Sequence, residues 1–139
     1  MTTITEATAR TTATPESLFI RWADMATWPE WNADTEWVRL DGPFATGSRG
    51  VLKPKGGPKV KFVIKELAPG RRFVDVSLLL GARLTFDHVV TPREGGCDVQ
   101  VTVTINGPLA FAWKRILGGG FRKTVQPDLD QLVALVEAS

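Results

Sequence analysis

Apolar and polar positions alternate over short runs from residue 35 to residue 105, and apolar positions recur at helical spacing in two places, after residue 14 and after residue 108. Residues 3–12 are rich in β-branched side chains, with Ala7 and Ala9 as small inward candidates, and this first strand closes at ATPES. Thr14 is placed to cap a helix and Pro15 suits its first position; Leu18, Phe19, Trp22 and Met25 then form one apolar stripe. Pro29, between Trp28 and Trp31, predicts a second, very short helix or turn. Strand-like runs follow near 35–41, 49–54, 59–66, 72–80, 84–91 and 98–105, each bounded by Gly or Pro, which predicts a long antiparallel sheet. From Pro108 to Ala138, Leu109, Trp113, Ile116 or Leu117, Phe121, Val125, Leu129, Leu132 and Val136 keep a helical period. Gly118, Gly119 and Gly120 each cost about 1 kcal/mol inside a helix and Pro127 about 3 kcal/mol. The last helix is therefore expected to be bent or broken in two.

A slip of one residue turns every side chain of a strand to the other face, so the apolar pattern constrains the pairing. One alignment serves the last four strands. It sets Val60, Phe62 and Ile64 across from Leu78, Val76 and Val74, and Leu80, Leu78, Val76 and Val74 across from Leu84, Phe86, His88 and Val90. Those four in turn face Ile105, Val103, Val101 and Val99. The implied hairpin loop is three residues long, Gly81 to Arg83. The opposite face carries Lys61, Lys65, Asp75, Ser77, Thr85, Asp87, Gln100, Thr102 and Thr104. Its apolar exceptions, Phe73, Leu79, Val63 and Val89, are either scattered exposed residues or a contact patch for a second copy of the chain, a homodimer.

Composition narrows the class. A chain of 139 residues fits one domain over its whole length, 1–139, and 43% hydrophobic with 23% charged content is that of an ordinary globular protein. Seventeen Lys plus Arg against fifteen Asp plus Glu is too balanced for a nucleic-acid binder. Cys97 is the only cysteine, so neither a disulfide within the chain nor a thiolate metal site is available, and a reducing cytoplasm is the expected location. The opening MTTITEATARTTA lacks the apolar core of a secretory leader, and no apolar run is long enough to span a membrane. No ligand cluster implies a metal or an organic cofactor.

The order of elements and the stretches WPEWN, VRLDGPFATGSRG, ELAPGRRF, LTFDHVV and INGPLA resemble the START-like (SRPBCC) superfamily, within it the polyketide cyclase/dehydrase and lipid-transport group. The resemblance covers nearly the whole chain. It implies an α+β helix-grip fold: a curved seven-stranded antiparallel sheet wrapped around a long C-terminal helix, with two short helices after the first strand. It also implies an apolar cavity between sheet and helix. Because the superfamily spans carriers, binders and cyclases, the resemblance is more specific for fold than for activity.

His88, the only histidine, falls on the apolar face in a row with Phe62, Val76 and Val101. It is either a proton-transfer group facing a ligand or a core imidazole bonded to a backbone carbonyl or water. Trp28 and Trp31, three residues apart, share a side of a helical turn; with Trp22 and Trp113 they are candidates for an aromatic collar around a cavity entrance, or are core. The remaining expected lining is Phe62, Val76, Leu78, Phe86, Val101 and Val103 from the sheet, and Leu117 and Phe121 from the helix. Asn32, Asp24 and Asp34 either orient a polar head group or make caps and turns. GPFATGSRG lacks the lysine of a phosphate loop and reads as a turn entering a strand. The three consecutive glycines are either a hinge over the mouth or tolerated poor helix formers. Lys53, Lys55, Lys59, Lys61 and Lys65 with Arg71 and Arg72 keep a hairpin soluble or dock an acidic carrier protein, and Glu66 and Arg72 are expected to pair across strands.

Three functions fit these residues. The first is a binding module for a small hydrophobic or aromatic molecule, favoured because no acid/base pair is predicted on the cavity face. The second is a polyketide cyclase/dehydrase-like enzyme using His88 for proton transfer, in which positioning does much of the work. The third is a partner-binding role for the outer face of the sheet.

Overall fold

The Thr14 hydroxyl accepts a hydrogen bond from the Ser17 N–H at 3.2 Å, and Pro15 opens the helix this starts, α1 (Pro15–Ala23). A computed structural model describes residues 2–138. Strand β1 (Thr2–Thr11) precedes α1, and a 3-10 helix (Met25–Glu30) follows it, with Pro29 inside. Six strands come next: β2 (Thr35–Asp41), β3 (Arg49–Pro54), β4 (Val60–Ala68), β5 (Arg72–Leu79), β6 (Ala82–Arg93) and β7 (Gly96–Asn106). The chain ends in α2 (Ala110–Glu137). The strands form one curved antiparallel sheet in the order β1-β7-β6-β5-β4-β3-β2, and α2 lies along its concave side against β1, β7 and β6. This is the expected helix-grip architecture.

The pairing of β6 with β7 follows the hydrophobic pattern: Leu84, Phe86, His88 and Val90 stand opposite Ile105, Val103, Val101 and Val99. That of β5 does not. Phe62 faces Ser77 and Ile64 faces Asp75, one residue away from the expected partners. Across β6, Leu84 faces Ser77, Phe86 faces Asp75 and His88 faces Phe73, three residues away. The concave face of β5 is therefore Phe73, Asp75, Ser77 and Leu79, while Val76 and Leu78, expected to line a cavity, are on the convex side.

Two local features set this register. The hairpin between β5 and β6 turns on two residues, Leu80 and Gly81, not on three, with Gly81 at φ +67°. The turn is clasped by the start of α2: the Leu80 carbonyl accepts from Trp113 Nε1 at 2.8 Å, and the Gly81 carbonyl accepts from the Leu109 N–H at 2.8 Å. On the other side, a bulge between Ile64 and Glu66 in β4 absorbs one residue. The displaced valines are nevertheless covered. Val74 lies in a row between Glu66 and Asp87, and Arg72 on the same face bonds both carboxylates, at 3.1 and 2.7 Å, so its stem spans the row. Val74 and Val76 are each 5% exposed. Phe73 is fully buried and Leu79 faces inward, so neither belongs to an outer contact patch.

Helix α2 runs unbroken through Gly118–Gly120 and Pro127. Its propensity costs are outweighed by ties at intervals along its length. Besides Trp113, Gln126 pairs with both the N–H and the carbonyl of Thr8 on edge strand β1, at 3.1 and 2.8 Å, and Glu137 accepts from the Thr11 hydroxyl at 2.6 Å. These ties hold the helix over the β1 side of the sheet.

Candidate functional site

The concave face divides into two apolar clusters. One joins Trp22, Trp28, Trp31, Phe62, Ile64, Phe73 and Val101 to the C-terminal half of α2 through Leu129, Leu132, Val133 and Val136. The other joins Leu84, Val103 and Ile105 to its N-terminal half, where Trp113, Leu117 and Phe121 remain partly exposed. The four indoles thus do not form one collar. Trp22, Trp28 and Trp31 are core residues, and Trp113 fastens the hairpin turn at the other end. Trp28 and Trp31 do share a side, with ring centroids 5.4 Å apart, and Trp28 Nε1 donates to the Trp22 carbonyl at 3.1 Å.

His88 lies on the concave face as expected. Its ring stacks on Phe73 at 4.7 Å and packs on Trp22 at 5.0 Å. A carbonyl only accepts, so the 2.8 Å contact with the Phe73 oxygen makes His88 Nδ1 the donor and leaves Nε2 as the acceptor of a neutral imidazole. Burial lowers its pKa to about 4, against the weaker opposing pull of that carbonyl and of Asp87. The imidazole stays uncharged across the neutral range.

The residue that sequence reasoning missed is Asp75. The strand pairing sets it in a row between Ile64 and Phe86, with Phe86 in turn edge-on to Phe121 of α2 at 5.6 Å. It is 6% exposed, its Oδ1 has no hydrogen-bond partner, and burial raises its pKa to about 7, opposed only by its own backbone N–H. Asp75 and His88 belong to successive inward rows of neighbouring strands, a diagonal separation of roughly 7–8 Å between Cα atoms. The concave face therefore carries an acid that holds its proton near neutrality and a neutral imidazole. The available signal was the Leu80–Gly81 pair: a glycine in the second position of a two-residue turn brings Asp75 inward.

Other candidates resolve into structural roles. The backbone carbonyls of Asp24, Asn32 and Asp34 accept from Thr27, Thr35 and Lys55. Asp128 on α2, unremarked in the pattern, receives the Ala33 N–H; burial and nearby Asp34 raise its pKa to about 6. Gly47 and Ser48 pair with Ile64 as β3 begins, making GPFATGSRG a turn. Lys53 pairs with Glu36 at 3.2 Å and Lys59 sits over Trp37 at 5.9 Å. No group of three or more metal-ligating side chains occurs among the described residues. No helix among them is long and apolar enough to cross a membrane.

The surface among the described residues includes two concavities away from the concave row of His88. One of about 370 Å³ lies at the hairpin tip beside Leu79, Gly81 and Gly107; one of about 410 Å³ lies over Thr8, Val89 and Gln100. Neither is lined by His88, Asp75 or an indole. On the concave side, Ser77, Leu79 and Phe86 from the sheet and Trp113, Leu117 and Phe121 from α2 are only partly covered.

Residues 2–137 match the family described as "Polyketide cyclase / dehydrase and lipid transport". No curated protein matches the chain. Among solved structures, the di-domain ARO/CYC StfQ from the steffimycin biosynthetic pathway is similar at TM-score 0.77, with 13% identity over 99% of this chain and 51% of that one. Protein MLL2253 from Mesorhizobium loti aligns at TM-score 0.74 and 16% identity over 97% of both chains. TTHA0849 from Thermus thermophilus aligns at 0.69 and 20% identity over 96% of this chain and 98% of that one. At these identities the likeness carries the fold.

Proposed function

The chain belongs to the polyketide cyclase/dehydrase and lipid transport family, and from that premise we propose that it binds a small hydrophobic or aromatic molecule between the concave face of the sheet and α2. One observation carries the reading. An acid with an unpartnered oxygen sits in an otherwise apolar row, beside aromatic and aliphatic side chains of sheet and helix that the fold leaves partly uncovered. Binding sites of small apolar ligands have this composition: mostly hydrophobic walls with few polar groups. The bound molecule lies over Ser77, Leu79 and Phe86, under Trp113, Leu117 and Phe121. The test is a fluorescence titration with naphthalene derivatives, flavonoids and fatty acids, read through the tryptophans. Saturable quenching is expected for an aromatic probe. Ser77→Phe, which places a ring in the row between Phe62 and Leu84, abolishes it while circular dichroism stays native. Absence of saturation with every class, or full binding by Ser77→Phe, refutes the proposal.

A cyclase/dehydrase-like reaction is the second reading, favoured by the presence of an acid and an imidazole on one face. In it, Asp75 gives a proton to a ligand oxygen and the His88 imidazole accepts one, with the curved wall folding the substrate. Turnover of a poly-ketone mimic, lost in His88→Gln with binding retained, supports this reading over simple carriage.

A further inference from the structure

The end of the fold where the β5–β6 hairpin meets the start of α2 carries large apolar side chains that the rest of the chain leaves uncovered. Leu80 is 79% exposed, Phe111 70% and Ile116 69%. They stand on one rigid platform. The Gly81 carbonyl accepts from the Leu109 N–H and the Leu80 carbonyl from Trp113 Nε1, so the hairpin tip and the first turns of α2 are tied together. The Leu109 side chain lies so close to Gly81 that a Cβ on that glycine would meet it at 2.7 Å. Phe111 and Ile116 both belong to the outward face of α2, about 7–8 Å apart along its axis, and Arg115 lies between them on the helix surface.

The charge around these side chains has one sign. No Asp or Glu occurs from Val76 to Phe86 or from Val99 to Pro127, the two stretches that build this end. The same stretches supply Arg83, Lys114, Arg115, Arg122 and Lys123, and none of these five makes an ion pair among the described residues. On the convex side, exposed Leu78 stands in a cross-strand row with Lys61 on one side and Arg83 on the other. Nearby carboxylates of the sheet are already engaged: Glu66 and Asp87 by Arg72, and Asp98 by Arg10.

We propose that this end of the molecule docks on an anionic lipid bilayer, with Leu80, Phe111 and Ile116 entering the headgroup layer and Lys61, Arg83, Lys114 and Arg115 meeting lipid phosphates and carboxylates. The unpaired cations select an anionic surface. The apolar side chains favour a bilayer over an acidic protein: they project separately, interleaved with cations, and so offer no continuous apolar centre for a packed protein interface. A fluid headgroup layer accommodates such projections one by one. The surface uses none of the side chains assigned to the ligand groove.

The test is co-flotation of the full chain with phosphatidylcholine vesicles, with and without phosphatidylserine. At low salt the vesicles containing phosphatidylserine are expected to bind at least about tenfold more tightly than the others, and about 0.5 M salt removes most of that difference. Leu80→Ser combined with Phe111→Ser, both at exposed positions and checked for native circular dichroism, lowers vesicle affinity at least about tenfold. Arg83→Glu combined with Arg115→Glu abolishes the preference for phosphatidylserine. Ser77→Phe docks as wild type does, because docking does not use the groove. Absence of vesicle binding, equal affinity for the two compositions, or full binding by the Leu80→Ser, Phe111→Ser protein overturns the proposal. Loss of vesicle binding in Ser77→Phe also overturns it, since the lipid is then taken into the groove. Polyglutamate bound as tightly as the phosphatidylserine vesicles, and equally well by the Leu80→Ser, Phe111→Ser protein, points to a soluble acidic partner and overturns it as well.

Discussion

Replacing Asp75 with Asn tests the electrostatics of the concave face without any ligand. The unfolded chain releases the Asp75 proton near pH 3.8, whereas burial holds it in the folded protein to about pH 7. Between those values the folded state carries the extra proton, so stability falls as pH rises; above pH 7 the loss is complete and level. A shift of this size corresponds to about 4 kcal/mol at pH 8, of which about 3 kcal/mol accrues between pH 5 and pH 8. Asparagine has no such titration. Its own amide enters an apolar row at a cost of about 1–3 kcal/mol, but that cost does not change with pH. The assay is urea unfolding followed by tryptophan fluorescence at half-unit intervals from pH 5 to pH 8, for both proteins. Taking the difference removes groups common to both, including His88 and Asp128. The stability of Asp75→Asn relative to wild type should rise by about 3 kcal/mol across the range. A difference that is flat with pH means that Asp75 ionises as it does in water and that its burial does not hold the proton.

His88 gives the opposite sign: its pKa falls from 6.5 to about 4, so its stability contribution is complete above pH 6.5 and is lost as pH falls toward 4. His88→Gln should abolish about 3 kcal/mol of acid-induced loss, read as the difference in urea midpoints between pH 7 and pH 4; equal loss in both proteins refutes it. Gly50 separates two kinds of glycine: a Cβ there would run into the Arg39 carbonyl and the Phe62 ring, whereas one at Gly119 meets nothing. Gly50→Ala should cost about 1–3 kcal/mol in thermal unfolding, and Gly119→Ala should gain up to about 1 kcal/mol; a neutral Gly50→Ala contradicts the packing described.

Why the fold was legible and half of the site was not comes down to strand β5. In β6 and β7 the inward sets, Leu84 to Val90 and Val99 to Ile105, are more apolar than the outward ones, so only one register buries them and pattern reading finds it. In β5 both sets qualify, since Val74, Val76 and Leu78 alternate with Phe73 and Leu79, and the more apolar set is the one that faces out. Alternation carries no register information in such a strand; a two-residue turn, a bulge and a clasp from α2 decide it, and none of these can be read from apolar period. The same reliance on tertiary ties explains α2, where local propensity predicts a break and Trp113, Gln126 and Glu137 hold the helix to the sheet. The consequence for function is direct. Pattern reading leaves His88 without an acid on its face because it turns Asp75 toward solvent, where a carboxylate costs nothing. In the folded chain that carboxyl lies between Ile64 and Phe86, where burial raises its pKa and no ion pair offsets the cost of ionising it. Leucine or valine at that position would pack the row better, so the physical case for a carboxyl there has to come from what it donates a proton to.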